Sequence, residues 1–213
     1  VGEQAMKYRL VIFDFDGTLA NSFPWMKRIF NELAEKYKIR PLTDEEEHLL
    51  RGYTADQIIK HFDVPAWRIP QAIAYVRKLM AQEIHHIPLF EGIHEMLQHL
   101  AERGATLAVV SSNAEENVRQ VLGPENAALI RYYEGGVALF GKAPKLRKVL
   151  AKSGVRPADA LYIGDEIRDI EAAHEVHMAV GAVTWGYNHA EVLQAYAPEE
   201  MFASVAEIVE KII

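Results

Sequence analysis

Apolar residues follow two patterns along this chain. Continuous runs at Arg9 to Phe13, Thr106 to Val110, Ala160 to Ile163 and Met178 to Val183 are short and do not alternate with polar residues. They predict strands covered on both faces. Between them the spacing becomes helical: Ile93, Met96, Leu97 and Leu100 recur at i, i+3, i+4 and i+7, and Gly104 follows as a stop. Leu146, Val149 and Leu150 repeat the pattern ahead of Gly154, and Val205, Ile208, Val209 and Ile212 follow a Ser204/Glu207 capping pair. Strands alternating with helices predict an α/β fold, a Rossmann-like, mainly parallel sheet with helices on both faces.

One stretch breaks the alternation. From about Ser22 to Ile87 there is no strand pattern, only helical ones: Phe23, Met26, Ile29, Phe30, Leu33 and Tyr37, then Ile73, Val76, Met80, Ile84 and Ile87. Thr43/Glu46 and Thr54/Gln57 read as capping boxes within it. This predicts a helical cap over 21–88 inserted into a core made of 6–20 and 89–213. Pro88 to Gly92 would turn the chain back into the core. Val1 to Ala5 have no periodicity that would place them, so Met6 is the expected natural start and the five residues before it an addition.

Composition narrows the chemistry. The 213 residues carry a formal net charge of -7, with Lys+Arg 23 against Asp+Glu 30, which argues against a broad nucleic-acid surface. Half the residues are hydrophobic, at 50%, which is ordinary for a globular domain rather than a disordered one. Cysteine is absent, so disulfides, thiolate nucleophiles and Cys-ligated zinc are all excluded. No run is long enough for a signal peptide or membrane span, and the expected location is the cytoplasm. The sequence leaves the oligomeric state open.

The first strand ends in Asp14-Phe15-Asp16-Gly17-Thr18-Leu19. Ligands in open α/β sheets bind beyond the carboxyl ends of strands. Two carboxylates two residues apart on extended chain point the same way, and together they invite a divalent cation.

Asp14 to Leu19 resembles the first signature of the haloacid dehalogenase superfamily, whose members are mostly magnesium-dependent phosphatases with an aspartate nucleophile. The resemblance implies three further signatures in order. Leu107 to Val110 runs into Ser111-Ser112-Asn113, where a Ser or Thr should close a strand; the same segment also reads as an N-cap for the helix from Ala114. Lys142 lies about two dozen residues ahead of Asp165, as the third signature requires, with Lys145 as a competitor. Gly164-Asp165-Glu166-Ile167-Arg168-Asp169 matches the fourth.

The roles implied are specific. Asp14 is the nucleophile and Asp16 the acid and base, while Lys142 balances charge. Ser111 and the backbone amides around Phe15 and Ser112 hold the phosphoryl group. Mg²⁺ is held by Asp14, the Asp16 carbonyl and Asp165, with Asp169 and Asn113 behind these groups. An acid at position 16 separates the chain from the dehalogenases, which lack one there.

The helical insertion resembles the cap of phosphoglycolate phosphatases and β-phosphoglucomutases. Within Leu50-Arg51-Gly52-Tyr53-Thr54, Arg51 and Gly52 are the candidates for substrate choice, Arg51 by binding a second anionic group. Ala55 stands where the mutase would be expected to carry a basic residue, and Lys142-Ala143-Pro144 interrupts the usual Lys-Pro pair. The expected partner is a small phosphorylated metabolite, with no nucleic acid or membrane. A phosphoryl transferase and a non-catalytic module that binds phosphometabolites are the alternatives.

Other motifs carry less. Gly136 to Ala143 spells most of a nucleotide-binding Gly-x-x-x-x-Gly-Lys-Ser/Thr loop but ends in Ala, and its apolar spacer reads as an edge strand. His85-His86 are expected at a partly exposed helix end, and Trp25, Trp67 and Trp185 as packing residues.

Overall fold

Leu10–Phe13 (β1) is built from Leu, Val, Ile and Phe, and all four residues are completely buried. Such a strand needs neighbours on both edges and cover on both faces. The computed structural model, which describes residues 6–38, 40–136 and 141–213, supplies both. β1 pairs in parallel with Thr106–Val110 (β2) on one side and Ala160–Gly164 (β4) on the other. Ile130–Glu134 (β3), Ala179–Val183 (β5) and Glu200–Phe202 (β6) complete a parallel sheet of order β3-β2-β1-β4-β5-β6. This is the α/β fold expected from the alternation of patterns.

Successive β1 side chains enter different cores. Val11 and Phe13 pack with Leu97 and Leu100 of Ile93–Glu102 (α5), with Val118 and Leu122, and with Ile208 and Ile212 of the C-terminal helix. Leu10 and Ile12 pack on the opposite face with Leu146 and Val149 of Ala143–Ser153 (α7) and with Ile170 and Ala173. Fully burying one such side chain contributes roughly 1.5–3 kcal/mol, so these two layers dominate the stabilisation of the sheet.

The four strands predicted from continuous apolar runs are present within a residue at either end. Two observed strands, β3 and β6, were not expected. They lie at the two ends of the strand order, where one edge is unpaired and side chains are partly exposed, so neither forms a continuous apolar run. The edge strand expected over Val137 to Phe140, and the reading of Val1 to Ala5, fall outside the described residues.

The stretch after β1 is helical: Phe23–Tyr37 (α1), Asp44–Leu50 (α2), Ala55–His61 (α3) and Ile69–Glu83 (α4). Both expected capping boxes form. Thr43 accepts from the Glu46 amide and Thr54 from the Gln57 amide, with the reciprocal bonds in place. The chain leaves the sheet and returns to it side by side, because the Asn21 amide donates to the Pro88 carbonyl at 2.8 Å and the Phe90 amide to the Leu19 carbonyl at 2.9 Å. Gly92, at φ 84, turns into α5.

The remaining helices are Glu115–Leu129 (broken at Gly123), Ile167–Glu175, Ala190–Ala195 and Val205–Ile212, here α6, α8, α9 and α10. Ser204 caps α10 by accepting from the Glu207 amide, while the Glu207 carboxylate takes the Ala203 amide. Trp25 is buried and Trp185 half-buried, as expected, whereas Trp67 is 65% exposed on a single turn of 3-10 helix and is not a packing residue. His85 and His86 are exposed. Among the described residues no helix is long and apolar enough to cross a membrane.

Candidate active site

Strand register brings the expected side chains together. Phe13 is level with Val109 of β2 and with Ile163 of β4. Asp14, Ser111 and Asp165 therefore leave the sheet within one or two residues of the same edge. β1 is also where the strand order changes direction, the place at which open α/β sheets form a binding crevice.

Asp14 is buried, and its Oδ1 accepts the Phe15 amide at 2.7 Å. Its Oδ2 faces the Lys142 ammonium at 2.6 Å, and Lys142 Nζ also lies 2.5 Å from Asp169 Oδ1. Lys142 is in place because it is the residue from which α7 starts. Asp169, in the first turn of α8, is held in turn by the Tyr162 hydroxyl and by the amides of Asp165 and Glu166. The structure thus brings Lys142, rather than Lys145, to Asp14. Lys145 is partly exposed and stands 3.7 Å from Glu134.

Ser111 is buried and accepts the Asn113 amide at 2.9 Å. Its own hydroxyl proton remains a donor. It is not the N-cap of α6; that position is Ala114, which has no side-chain cap. Ser112 is half-buried beside it. Asn113 reaches across to Asp16, donating from Nδ2 to Oδ2 at 3.4 Å, while Asp16 Oδ1 is buried with no hydrogen bond.

Asp165 and Arg51 have partners that the sequence did not reveal. Asp165 Oδ1 accepts the Thr18 hydroxyl at 2.8 Å and Oδ2 accepts the Tyr187 amide at 2.7 Å. Among the described residues, the carboxylates offering oxygens within 4.8 Å of one another are Asp14, Glu166 and Asp169. Arg51, expected to receive an anion, donates from Nε to the Tyr187 carbonyl at 3.1 Å and from Nη2 to the Gly186 carbonyl at 2.8 Å. It fastens the turn after α2 to the loop after β5, because backbone carbonyls there take the fork a ligand would need. Gly52 lies beside the Leu49 carbonyl and Val192, where an added Cβ would come within 3.2 Å of the former.

Charge balance defines the chemistry. The carboxylates of Asp14, Asp16, Asp165, Glu166 and Asp169 outnumber the cations Lys142 and Arg168. Burial raises Asp14 to about 7 even though Lys142 pulls it down. Burial likewise raises Asp16 against hydrogen bonds from Ser22 and Asn113. Asp165 goes well above the ordinary carboxylate range through burial and then through Glu166, Asp14 and Asp169. Burial acts against charge on Lys142 too, but Asp14 and Asp169 outweigh it and hold the ammonium protonated. Buried carboxylates in excess of cations, with Asp16 Oδ1 unpartnered and Asp14 Oδ2 met by the Lys142 charge but by no hydrogen bond, fit a hard divalent cation. A cavity of about 520 Å³ adjoins the cluster, with Tyr53 and Thr54 on one side and Lys142, Glu166, Arg168 and Asn188 on the other.

Sequence reasoning had quoted Thr18, Glu166 and Arg168 without giving them a role, and it missed Tyr187 and Asn188. The last two lie in the loop after β5, and the position of that loop at a carboxyl strand end is the one signal that could have pointed to them.

Residues 11–183 match the family described as haloacid dehalogenase-like hydrolase. Among curated proteins, the phosphoglycolate phosphatase of Synechococcus elongatus is 29% identical over 203 residues, covering 95% of this chain and 96% of its own. That of Pseudomonas putida is 27% identical over 202 residues, covering 89% of this chain and 74% of its own. A haloacid dehalogenase-like hydrolase from Streptococcus pneumoniae superposes with a TM-score of 0.82 at 20% identity, covering 97% of this chain and 99% of its own. CbbY from Rhodobacter sphaeroides, solved in complex with phosphate, gives 0.73 at 20% identity, covering 94% and 96%. The chain belongs to the haloacid dehalogenase-like hydrolase family. Within it, the chain falls in the phosphoglycolate phosphatase-like branch.

Proposed function

We propose that this chain is a magnesium-dependent phosphatase that hydrolyses a small phosphate monoester through an aspartyl-phosphate on Asp14. The observation that carries this reading is the Asp14 carboxylate, buried 2.6 Å from the Lys142 ammonium at the switch point of the sheet. The names of its curated relatives support it.

In the first step an Asp14 oxygen bonds to phosphorus as the ester oxygen departs, and Asp16 gives that alkoxide a proton. Burial lets Asp16 keep its proton to a higher pH than an exposed carboxyl would, which suits a donor. In the second step Asp16 takes a proton from water. The water oxygen attacks phosphorus, and the bond to Asp14 breaks to release inorganic phosphate. Lys142 offsets the charge that builds on the phosphoryl oxygens, and Asp169 keeps its ammonium in place. The Ser111 hydroxyl orients the phosphoryl group.

Asp14, the Asp16 carbonyl and Asp165 would hold Mg²⁺, with Glu166 beside them, and the ion would offset the repulsion between an anionic nucleophile and a phosphate dianion. Thr18 and Tyr187 each leave a second lone pair on their Asp165 oxygen, so those bonds orient the carboxylate without exhausting it.

A panel of 2-phosphoglycolate, sugar phosphates and nucleoside monophosphates, each assayed with and without Mg²⁺, tests the reading. Phosphate release that requires Mg²⁺ is expected for at least one ester. Release that is indifferent to Mg²⁺, or absent throughout, contradicts it.

A further inference from the structure

The loop after β5 bears no expected catalytic residue, yet one of its residues touches Asp165, Gly17 and the start of the helical stretch. The Tyr187 amide holds Asp165 Oδ2 at 2.7 Å. Its ring lies against Gly17 of the Asp14–Leu19 segment, where an added Cβ would overlap it. Its hydroxyl meets Ser22 Oγ at 3.0 Å, at the entrance to the helical stretch. The ring stacks edge-on with Phe23 at 5.2 Å, and its carbonyl takes the Arg51 Nε.

We propose that Tyr187 is a positioning residue, whose hydroxyl holds Ser22 while its backbone aligns Asp165, so that seating of the helical stretch and alignment of that carboxylate are one event. This inference rests on the phosphatase reading for its kinetic consequence only; the contacts themselves do not depend on it.

Either hydroxyl can donate in the 3.0 Å bond between Tyr187 and Ser22, so removing either one breaks it. A phenol that only filled space would need no partner on the element that carries the chain out of the sheet. This one has its partner there.

Tyr187→Phe removes the hydroxyl and leaves the ring, amide and carbonyl in place, and Ser22→Ala removes the other end of the hydrogen bond. Each variant and the double variant would be assayed for kcat and KM on the best ester of the panel, and amide exchange at 21–26 would be followed in all four metal-free proteins. The expected result is a fall in kcat of about tenfold in each single variant, with KM within twofold. The double variant should be no worse than either single one, and exchange at 21–26 should be faster in all three. Undiminished kcat in Tyr187→Phe with an active wild type overturns the inference, and so do additive losses. A wild type that hydrolyses nothing defeats the phosphatase reading instead; exchange then decides the inference, and unchanged exchange overturns it.

Discussion

Lys142 Nζ stands 2.6 Å from Asp14 Oδ2, and both groups are almost wholly removed from solvent. Because the same ammonium also holds Asp169, removing it leaves two facing buried carboxylates without their counter-charge. Truncating one partner of a buried ion pair typically costs about 3–5 kcal/mol. Lys142→Ala should lose stability of that order in urea unfolding at pH 8, recover part of it at pH 5 as the carboxylates take up protons, and lose phosphatase activity. Lys145→Ala, at a partly exposed pair, should change stability by less than about 1 kcal/mol and leave activity within twofold.

Gly17 supports a second prediction. Its φ of +79° lies in the left-handed region, and a Cβ there would overlap the Asp165 carboxylate and the Tyr187 ring. Gly17→Ala should cost about 1–2 kcal/mol for the backbone alone. Displacement of Asp165 should add a loss of Mg²⁺ affinity, measured as a higher Mg²⁺ concentration for half-maximal activity. A variant with unchanged Mg²⁺ dependence would show that Asp165 does not need this packing.

The parts of the molecule readable in the sequence were those whose signal is local. β1 could be read because full burial demands a continuous apolar run, and Asp14 and Asp16 because the chain itself sets their spacing. Lys142 could be placed only against Asp165, by counting along the chain. β3 and β6 were missed for the opposite reason: at the ends of the strand order, Arg131, Tyr132 and Glu200 are tolerated where a central strand would exclude them. The fastening of Arg51 to the carbonyls of Gly186 and Tyr187 joins residues far apart in sequence through backbone acceptors, which leave no trace in residue type. The hold of Thr18 and Tyr187 on Asp165 likewise joins residues far apart in sequence, through a hydroxyl and a backbone amide that donate to the carboxylate.

Proton linkage gives a third prediction. Burial raises Asp14 from 3.8 to about 7, so across that window the metal-free folded chain holds a proton that the unfolded chain releases. This group therefore makes the metal-free fold less stable as pH rises from about 4 to 7. A cation that replaces the proton should reverse the trend. At one hundred times its dissociation constant, Mg²⁺ should stabilise the chain by about 2.7 kcal/mol. At a fixed Mg²⁺ concentration, its effect on the thermal midpoint should be larger at pH 8 than at pH 6, and chelation should abolish it. Equal shifts at both pH values would place the ion away from Asp14.

The central claim is that the Asp14 carboxylate becomes bonded to phosphorus, and the most direct measurement is mass spectrometry of protein quenched in acid during turnover. A phosphoryl group on Asp14, formed only with Mg²⁺ present, is the predicted result. In Asp14→Asn the adduct should be absent and kcat at least about 1000-fold lower, a loss of about 4 kcal/mol of transition-state stabilisation. A phosphoryl group on a serine or histidine, or turnover surviving in Asp14→Asn, would contradict the account.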